Sequence, residues 1–140
     1  MRKYRSSDLP HVLRVFQLNV PTYFDPQEED ELLEYLNRYG SSYFIIEIED
    51  QIVGCGGYHL TTDNKGRLSW DLMDPRHQGQ GLGRLLIEHC LAQIRKQNVA
   101  EFEVWTSQKA YKFFERFGFA VKEIKQNHWG AGLHLYRMEM

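Results

Sequence analysis

The chain has 140 residues, room for one domain with a sizeable core and not for a second. Apolar residues make up 42%, aromatic residues 14% and charged residues 26%, which excludes a disordered chain, and no apolar run nears the roughly 20 residues that cross a bilayer. A net charge of −2 excludes the overall basic footprint of a nucleic-acid binder.

In chain order, Arg2 to Arg5 reads as a short first strand. Ser7 or Asp8 then caps a helix whose apolar positions are Leu9, Val12, Leu13, Phe16 and Leu18. Pro21, Asp25 and Pro26 break it. A second helix carries Leu32, Leu33, Tyr35 and Leu36 behind an acidic first turn, Glu28 to Glu31, which suits the helix dipole. Gly40 stands where a C′ glycine would end that helix. Tyr43–Glu49 and Gln51–Leu60 form a predicted hairpin about a tight Glu49-Asp50-Gln51 turn, and Asp63–Gly66 turns the chain into a strand over Arg67–Met73. A polar glycine loop from Arg76 to Gly83 leads into a helix with Leu82, Leu85, Leu86, Cys90, Leu91 and Ile94 on one face. A strand over Phe102–Trp105 follows. Ser107 then caps a helix holding Phe113, Phe114 and Phe117 that stops at Gly118, and two last strands fall near Ala120–Lys125 and Leu133–Glu139. The order β-α-α-β-β-β-α-β-α-β-β predicts a single α/β (α+β) domain over residues 1–140, with a mixed, mostly antiparallel sheet of six to seven strands and about four flanking helices.

Two cysteines, Cys55 and Cys90, build neither a disulfide framework nor a metal cage, and the six histidines lack ligand spacing, so no metal site is expected. The opening residues carry no secretory leader, and a reducing cytoplasm is the expected compartment. Charge is unevenly divided. Residues 1–74 hold 7 Lys/Arg against 13 Asp/Glu, and residues 75–140 hold 10 against 6. An anionic ligand is therefore favoured by the C-terminal half and a cationic one by the N-terminal half.

The sharpest local signal is Gln78-Gly79-Gln80-Gly81-Leu82-Gly83, between a strand and a helix. Glycines let a bulky ligand approach the backbone, and the first N–H groups of a helix are unsatisfied at the positive end of its dipole. Arg76 and Arg84 add charge at the edges, so the segment reads as a pyrophosphate cradle. A dinucleotide fingerprint would put its third glycine at Arg84, and no Lys-Ser or Lys-Thr follows as in a nucleotide P-loop.

Gln78-x-x-Gly81-x-Gly83 resembles the acetyl-CoA signature of the GNAT acetyltransferase superfamily, and Met73-Asp-Pro before it and Arg84-Leu-Leu after it fit that pattern. Ala110-Tyr-Lys-Phe-Phe-Glu-Arg-Phe-Gly-Phe119 is similar to the second cofactor-contacting helix of the family. The resemblance spans nearly the whole chain. It implies acetyl-CoA as donor, with the amides of Gln78, Gly79, Gln80, Gly81, Leu82 and Gly83 and the side chain of Arg84 on its pyrophosphate. The strand ending at Leu72 and Met73 would pair with the pantetheine arm and splay from the Phe102–Trp105 strand to admit the thioester. Ser107, Ala110 and Phe114 would flank the far side. It also implies a possible homodimer through the last strands. Phe114 stands where many members carry a proton-donating tyrosine, which leaves the leaving thiolate to solvent or Tyr111 and keeps a second reading open, a non-catalytic acyl-CoA sensor or scaffold.

Acetyl transfer needs a neutral amine, and a lysine-like amine has a pKa of about 10.4 in water, so a base is required. Strict alternation along Arg67–Met73 would put Arg67, Ser69 and Asp71 on one polar face, which makes Asp71 the favoured base. Tyr58 and His59, beside the Gly54-Cys-Gly-Gly57 run, are rivals, as is His134. Cys55 has no identifiable partner to lower its pKa and reads as core, like Cys90. Tyr23 and Phe24 are candidates for the acceptor pocket. The expected reaction is direct transfer of acetyl to a primary amine, a small amine or a peptide amine, carried on a cationic acceptor.

Overall fold

The computed structural model describes all 140 residues. Its elements are β1 (Arg2–Lys3), α1 (Leu9–Leu18), α2 (Glu29–Tyr39), β2 (Tyr43–Ile48), β3 (Gln51–Leu60), β4 (Lys65–Met73), α3 (Leu82–Arg95), β5 (Glu101–Thr106), α4 (Tyr111–Glu115), β6 (Ala120–Gly130) and β7 (Leu133–Glu139). They form one seven-stranded sheet in the order β1-β2-β3-β4-β5-β7-β6. Only β4 and β5, joined by α3, run parallel, and every other pair is antiparallel. No helix is long and apolar enough to cross a membrane.

Around β2 the sheet is covered on both faces, so Tyr43–Ile46 reads as an unbroken apolar run. In β2 alternate residues serve opposite cores. Tyr43 and Ile45 pack with Val12, Val15 and Phe16 of α1 and Leu32 and Leu36 of α2. Phe44 and Ile46 pack with Leu86, Ile87, Cys90 and Ile94 of α3. The β2–β3 turn has Glu49 and Asp50 both in the left-handed region, at φ 52° and 63°, the two-residue connection whose twist suits a hairpin.

Several local expectations change. Asp8 does not cap α1 with its side chain but accepts from the Arg5 N–H (2.8 Å) and pairs with Arg2 (2.8 Å). Gly40 is not a left-handed stop. It stays right-handed at φ −58° and opens a 3-10 turn, where a side chain would press on the Tyr4 ring. The helix expected from Ser107 begins only at Tyr111, after a turn in which the Ser107 carbonyl accepts from the Ala110 and Tyr111 N–H groups. The strand expected over Ala120–Lys125 runs on to Gly130, with a register break between Lys125 and Gly130.

The feature that shapes the site is in β4. Leu72 faces Cys55 and Ser69 faces Gly57, so Trp70 and Asp71 together oppose Gly56 alone. This bulge puts Trp70 at φ 53°. It also reverses the alternation, so that Leu68 packs under α3 while Leu72 packs under α1. Arg67, Ser69 and Asp71 therefore do not share a face.

Candidate active site

Strands β4 and β5 pair only from Lys65–Glu101 to Leu68–Val104 and then separate. An ion network holds the closed end. Arg67 donates to Glu103 (2.7 Å) and lies over the Trp105 ring (4.2 Å), while Lys65 and Arg137 approach Glu103 at 3.7 and 3.6 Å. On its other side, the open stretch of β4 is fixed by the Tyr43 hydroxyl donating to the Trp70 carbonyl (2.7 Å) and by the buried Asn19 amide donating to the Met73 carbonyl (3.0 Å). A cavity of about 860 Å³ passes through the gap.

One limb of the cavity is the glycine loop. Gly79 and Gly81 take φ 79° and 78°, and a side chain at either would project into open space. The loop serves as the cap of α3 with no side-chain hydrogen bond. The N–H groups from Gly79 to Arg84 have no acceptor within the protein, six consecutive donors at a helix N-terminus. Gly83 lets α3 come within 3.4 Å of Phe113 at the position a Cβ would take. Arg84, Lys109 and Arg116 supply positive charge to this limb. Arg76 does not, because Asp74, fully buried and held at a pKa of about 2 by that guanidinium, binds it at 2.7 and 3.1 Å. Arg84 shares its charge with Glu88 (2.7 Å). A run of free amides with cations at its rim fits a pyrophosphate, so the donor set matches the one expected for acetyl-CoA.

The other limb lies under the α1–α2 connection. It is lined by acidic side chains (Glu28, Glu31, Glu34) and by the rings of Tyr23, Phe24, Tyr35, Trp70 and Trp129. Trp129 donates to the Thr106 carbonyl (3.0 Å), and Gln27 reaches across to the Trp129 carbonyl (2.8 Å), joining the end of β6 to the α1–α2 connection. Four buried polar atoms lack any partner, the Tyr35 hydroxyl, Asp71 Oδ1, His77 Nδ1 and Trp105 Nε1. All four belong to residues lining this one cavity. Such atoms are costly in a core and useful in a site that a polar ligand completes.

Of the predicted residues, Asp71, His59, Leu72, Met73, Gln78, Gly79, Gly81, Gly83, Arg84, Ser107, Ala110 and Phe114 line the cavity. Gln80 and Leu82 belong to the loop without lining it, and Leu82 leans on the core under α3. Tyr58 and Tyr111 lie elsewhere. Tyr58 packs beside Phe44 (6.5 Å), and Tyr111 packs on Tyr136 (4.8 Å). His134 accepts from the Asn127 N–H through Nδ1 (2.9 Å), outside the cavity. Burial pushes the Asp71 carboxyl well above the usual range, which favours its neutral form. His59 is driven down to about 4, by burial first and then by Arg67 and Arg38, and its Nδ1 meets Ser69 Oγ at 3.0 Å. Burial lifts the Cys55 thiol to about 12, as befits a core cysteine.

Glu28 was hidden in the sequence among four acidic residues. Its signal is the D-P-x-E pattern of a capping box. Asp25 accepts from the Gln27 N–H (3.0 Å), and Glu28 returns to accept from the Asp25 N–H (2.8 Å). That bond turns the Glu28 side chain inward, to 3% exposure.

The family model described as an acetyltransferase (GNAT) domain matches residues 16–140. The chain belongs to this GNAT family. Similar proteins include the [ribosomal protein bS18]-alanine N-acetyltransferase of Escherichia coli, 38% identical over 60 residues, which are 41% of this chain and 40% of the relative. The chain spans between 24% and 40% of the length of the curated relatives that it matches. Among solved structures, a protein from Desulfovibrio desulfuricans assigned to the GNAT family is 25% identical with a TM-score of 0.80, covering 100% of this chain and 96% of that one. The N-acetylglutamate synthase of Neisseria gonorrhoeae, solved with coenzyme A and N-acetyl-glutamate, shares the fold at 18% identity and a TM-score of 0.76, covering 99% of this chain and 34% of that one. The seven-stranded mixed sheet with its four helices is thus the GNAT fold.

Proposed function

We propose that this GNAT domain transfers acetyl from acetyl-CoA directly to a primary amine on a cationic acceptor. The observation that carries the reading is a single cavity that joins a cradle of free amides, through the β4–β5 gap, to an acidic and aromatic chamber. The donor's phosphates lie on the amides of Gly79 to Arg84. Its pantetheine arm lies along the open edge of β4 at Leu72 and Met73, and Ser107, Ala110 and Phe114 bound it on the other side. The bare β4 edge orients the arm as a further strand would be oriented.

The nitrogen needs a proton acceptor, and Asp71, whose burial without a partner for Oδ1 favours the neutral form, is poorly suited to that role. His59 is neutral at physiological pH and keeps an imidazole facing the chamber. Phe114 carries no proton. Tyr111 lies off the cavity, so the sulfur takes its proton from the reacting nitrogen or from water. The sensor reading separates from the catalytic one in a single experiment: acetyl-CoA is mixed with a panel of alkylamines, arylamines and carboxylates, and free thiol is followed. Thiol release that depends on a cationic amine supports the proposal. Tight binding without turnover favours the sensor, and activity confined to anionic acceptors overturns the cationic assignment.

A further inference from the structure

Glu28 presents an electrostatic problem that the folded chain leaves unsolved. Its carboxylate is buried at the wall of the acceptor limb, yet the only hydrogen bond it receives is the Asp25 N–H on Oε2. The charges acting on it, Glu31 and Asp25, are both negative, and it forms no ion pair with any Lys or Arg of the chain. A buried carboxylate without a cation is costly, and here burial and its acidic neighbours lift its pKa to about 7. The second oxygen, Oε1, has no partner and is not among the sealed unpartnered atoms, so it is open to the cavity. The rings of Phe24 and Trp70, stacked on each other at 5.8 Å, line the same chamber.

We infer that Glu28 is the residue that captures the acceptor's ammonium and removes its proton. This rests on the acetyl-transfer reading. The ammonium gives one proton to Oε1, and the freed lone pair forms the C–N bond at the acetyl carbon. The C–S bond then breaks with its electron pair on sulfur. The nitrogen's second proton ends on that thiolate, and Glu28 returns its own to water. The pairing gives the buried carboxylate its missing cation, and removing the proton leaves a neutral acid in a place that favours one. The titratable and charged groups around it include Asp25 in its own turn, Glu31, Glu34, Tyr35, Arg38 and Tyr39 on α2 and, lining the same cavity from other elements, Tyr23, His59 and His128.

The test compares the parent, E28Q and E28D with two probes, 1,4-diaminobutane, which is protonated at neutral pH, and p-anisidine, which is neutral there. E28Q is expected to lose about 100-fold or more in kcat with the diamine and less than about threefold with the arylamine, with its affinity for coenzyme A unchanged. The acid limb of the parent's kcat/KM profile, with a midpoint near 7, should vanish in E28Q and persist in E28D at a reduced rate. The diamine should raise the Tm of the parent and not that of E28Q, a readout that needs no turnover. Equal slowing of both probes in E28Q, or no slowing of either, overturns the assignment while leaving acetyl transfer in place. A parent that acetylates neither amine yet binds coenzyme A overturns the transfer reading and this inference with it.

Discussion

The two limbs of the cavity are made of different material. The donor limb is backbone. Six amides in a row, two left-handed glycines and a helix terminus come from one continuous segment, and the nearby cations are half occupied by Asp74 and Glu88. The acceptor limb is side chain. Its carboxylate, hydroxyl and rings arrive from the α1–α2 connection, α2, β3, β4 and the end of β6, and several of them are left without partners. A backbone site is indifferent to most substitutions and to pH, but it fails at once when its conformation is refused. A side-chain site tolerates many changes and responds to pH, because burial has moved the pKa values of its groups.

The largest effect should therefore come from one glycine. Gly81→Glu forces a Cβ onto a residue at φ 78°, a region that costs L-residues about 1–2 kcal/mol, and aims a carboxylate at the proposed phosphate position. Coenzyme A affinity should fall by at least about 100-fold by calorimetry, on the scale of a lost preorganised donor, with the fold retained by circular dichroism. Affinity within about threefold of the parent would show that the amides of this loop do not hold the donor.

What was legible in the sequence follows the same division. The donor limb could be read because its parts are contiguous and glycine spacing reports a backbone conformation directly. Element order and the two helix faces were legible for a similar reason, since periodicity is local. The bulge at Trp70 was not. It depends on Gly56, on another strand, having no side chain where the Asp71 carboxyl and Leu86 now lie, and no pattern within Arg67–Met73 reveals that neighbour. One inserted residue then sent Asp71 to the face opposite the expected one. Tyr58 and Tyr111 were misplaced because whether a ring meets a cavity or another ring is decided by elements far along the chain.

Two medium effects sharpen the contrast through stability. His59 has a folded pKa of about 4 against an ordinary value near 6.5, so the native state binds fewer protons than the unfolded chain between those values. Its contribution is fully present above pH 6.5 and is lost as pH falls toward 4, by up to about 3 kcal/mol. In H59Q that part of the acid loss should disappear from chemical denaturation curves taken across the range. Glu28 acts with the opposite sign. Its folded pKa of about 7 lies above the ordinary 4.5, so its stability is present below pH 4.5 and is lost as pH rises through 7. E28Q should accordingly be more stable than the parent by up to about 3 kcal/mol at pH 8 and no more stable at pH 4. A residue that lowers stability at working pH is expected where function, not packing, has kept it. Equal stabilities at pH 8 would mean that the carboxylate has a cation after all.

The smallest expected effect decides which part of the acceptor limb does the chemistry. Asp71 lies in β4, the strand proposed to receive the donor, and its place there makes it the first choice for the base from sequence. In the fold its Oδ1 is sealed beside Gly56 and Leu86 without a partner, and burial pushes the carboxyl well above the usual range, favouring its neutral form. A protonated carboxyl and a carboxamide have nearly the same shape and both are neutral, so Asp71→Asn should change kcat by less than about threefold, a fraction of a kcal/mol. The pH profile should keep its acid limb near 7, because that limb belongs to another residue. If instead the variant loses tenfold or more in kcat with its coenzyme A affinity intact, the carboxyl must ionise when the donor fills the gap. The proton would then leave through β4, from beneath the thioester, and Glu28 would be left to hold the acceptor without reacting with it.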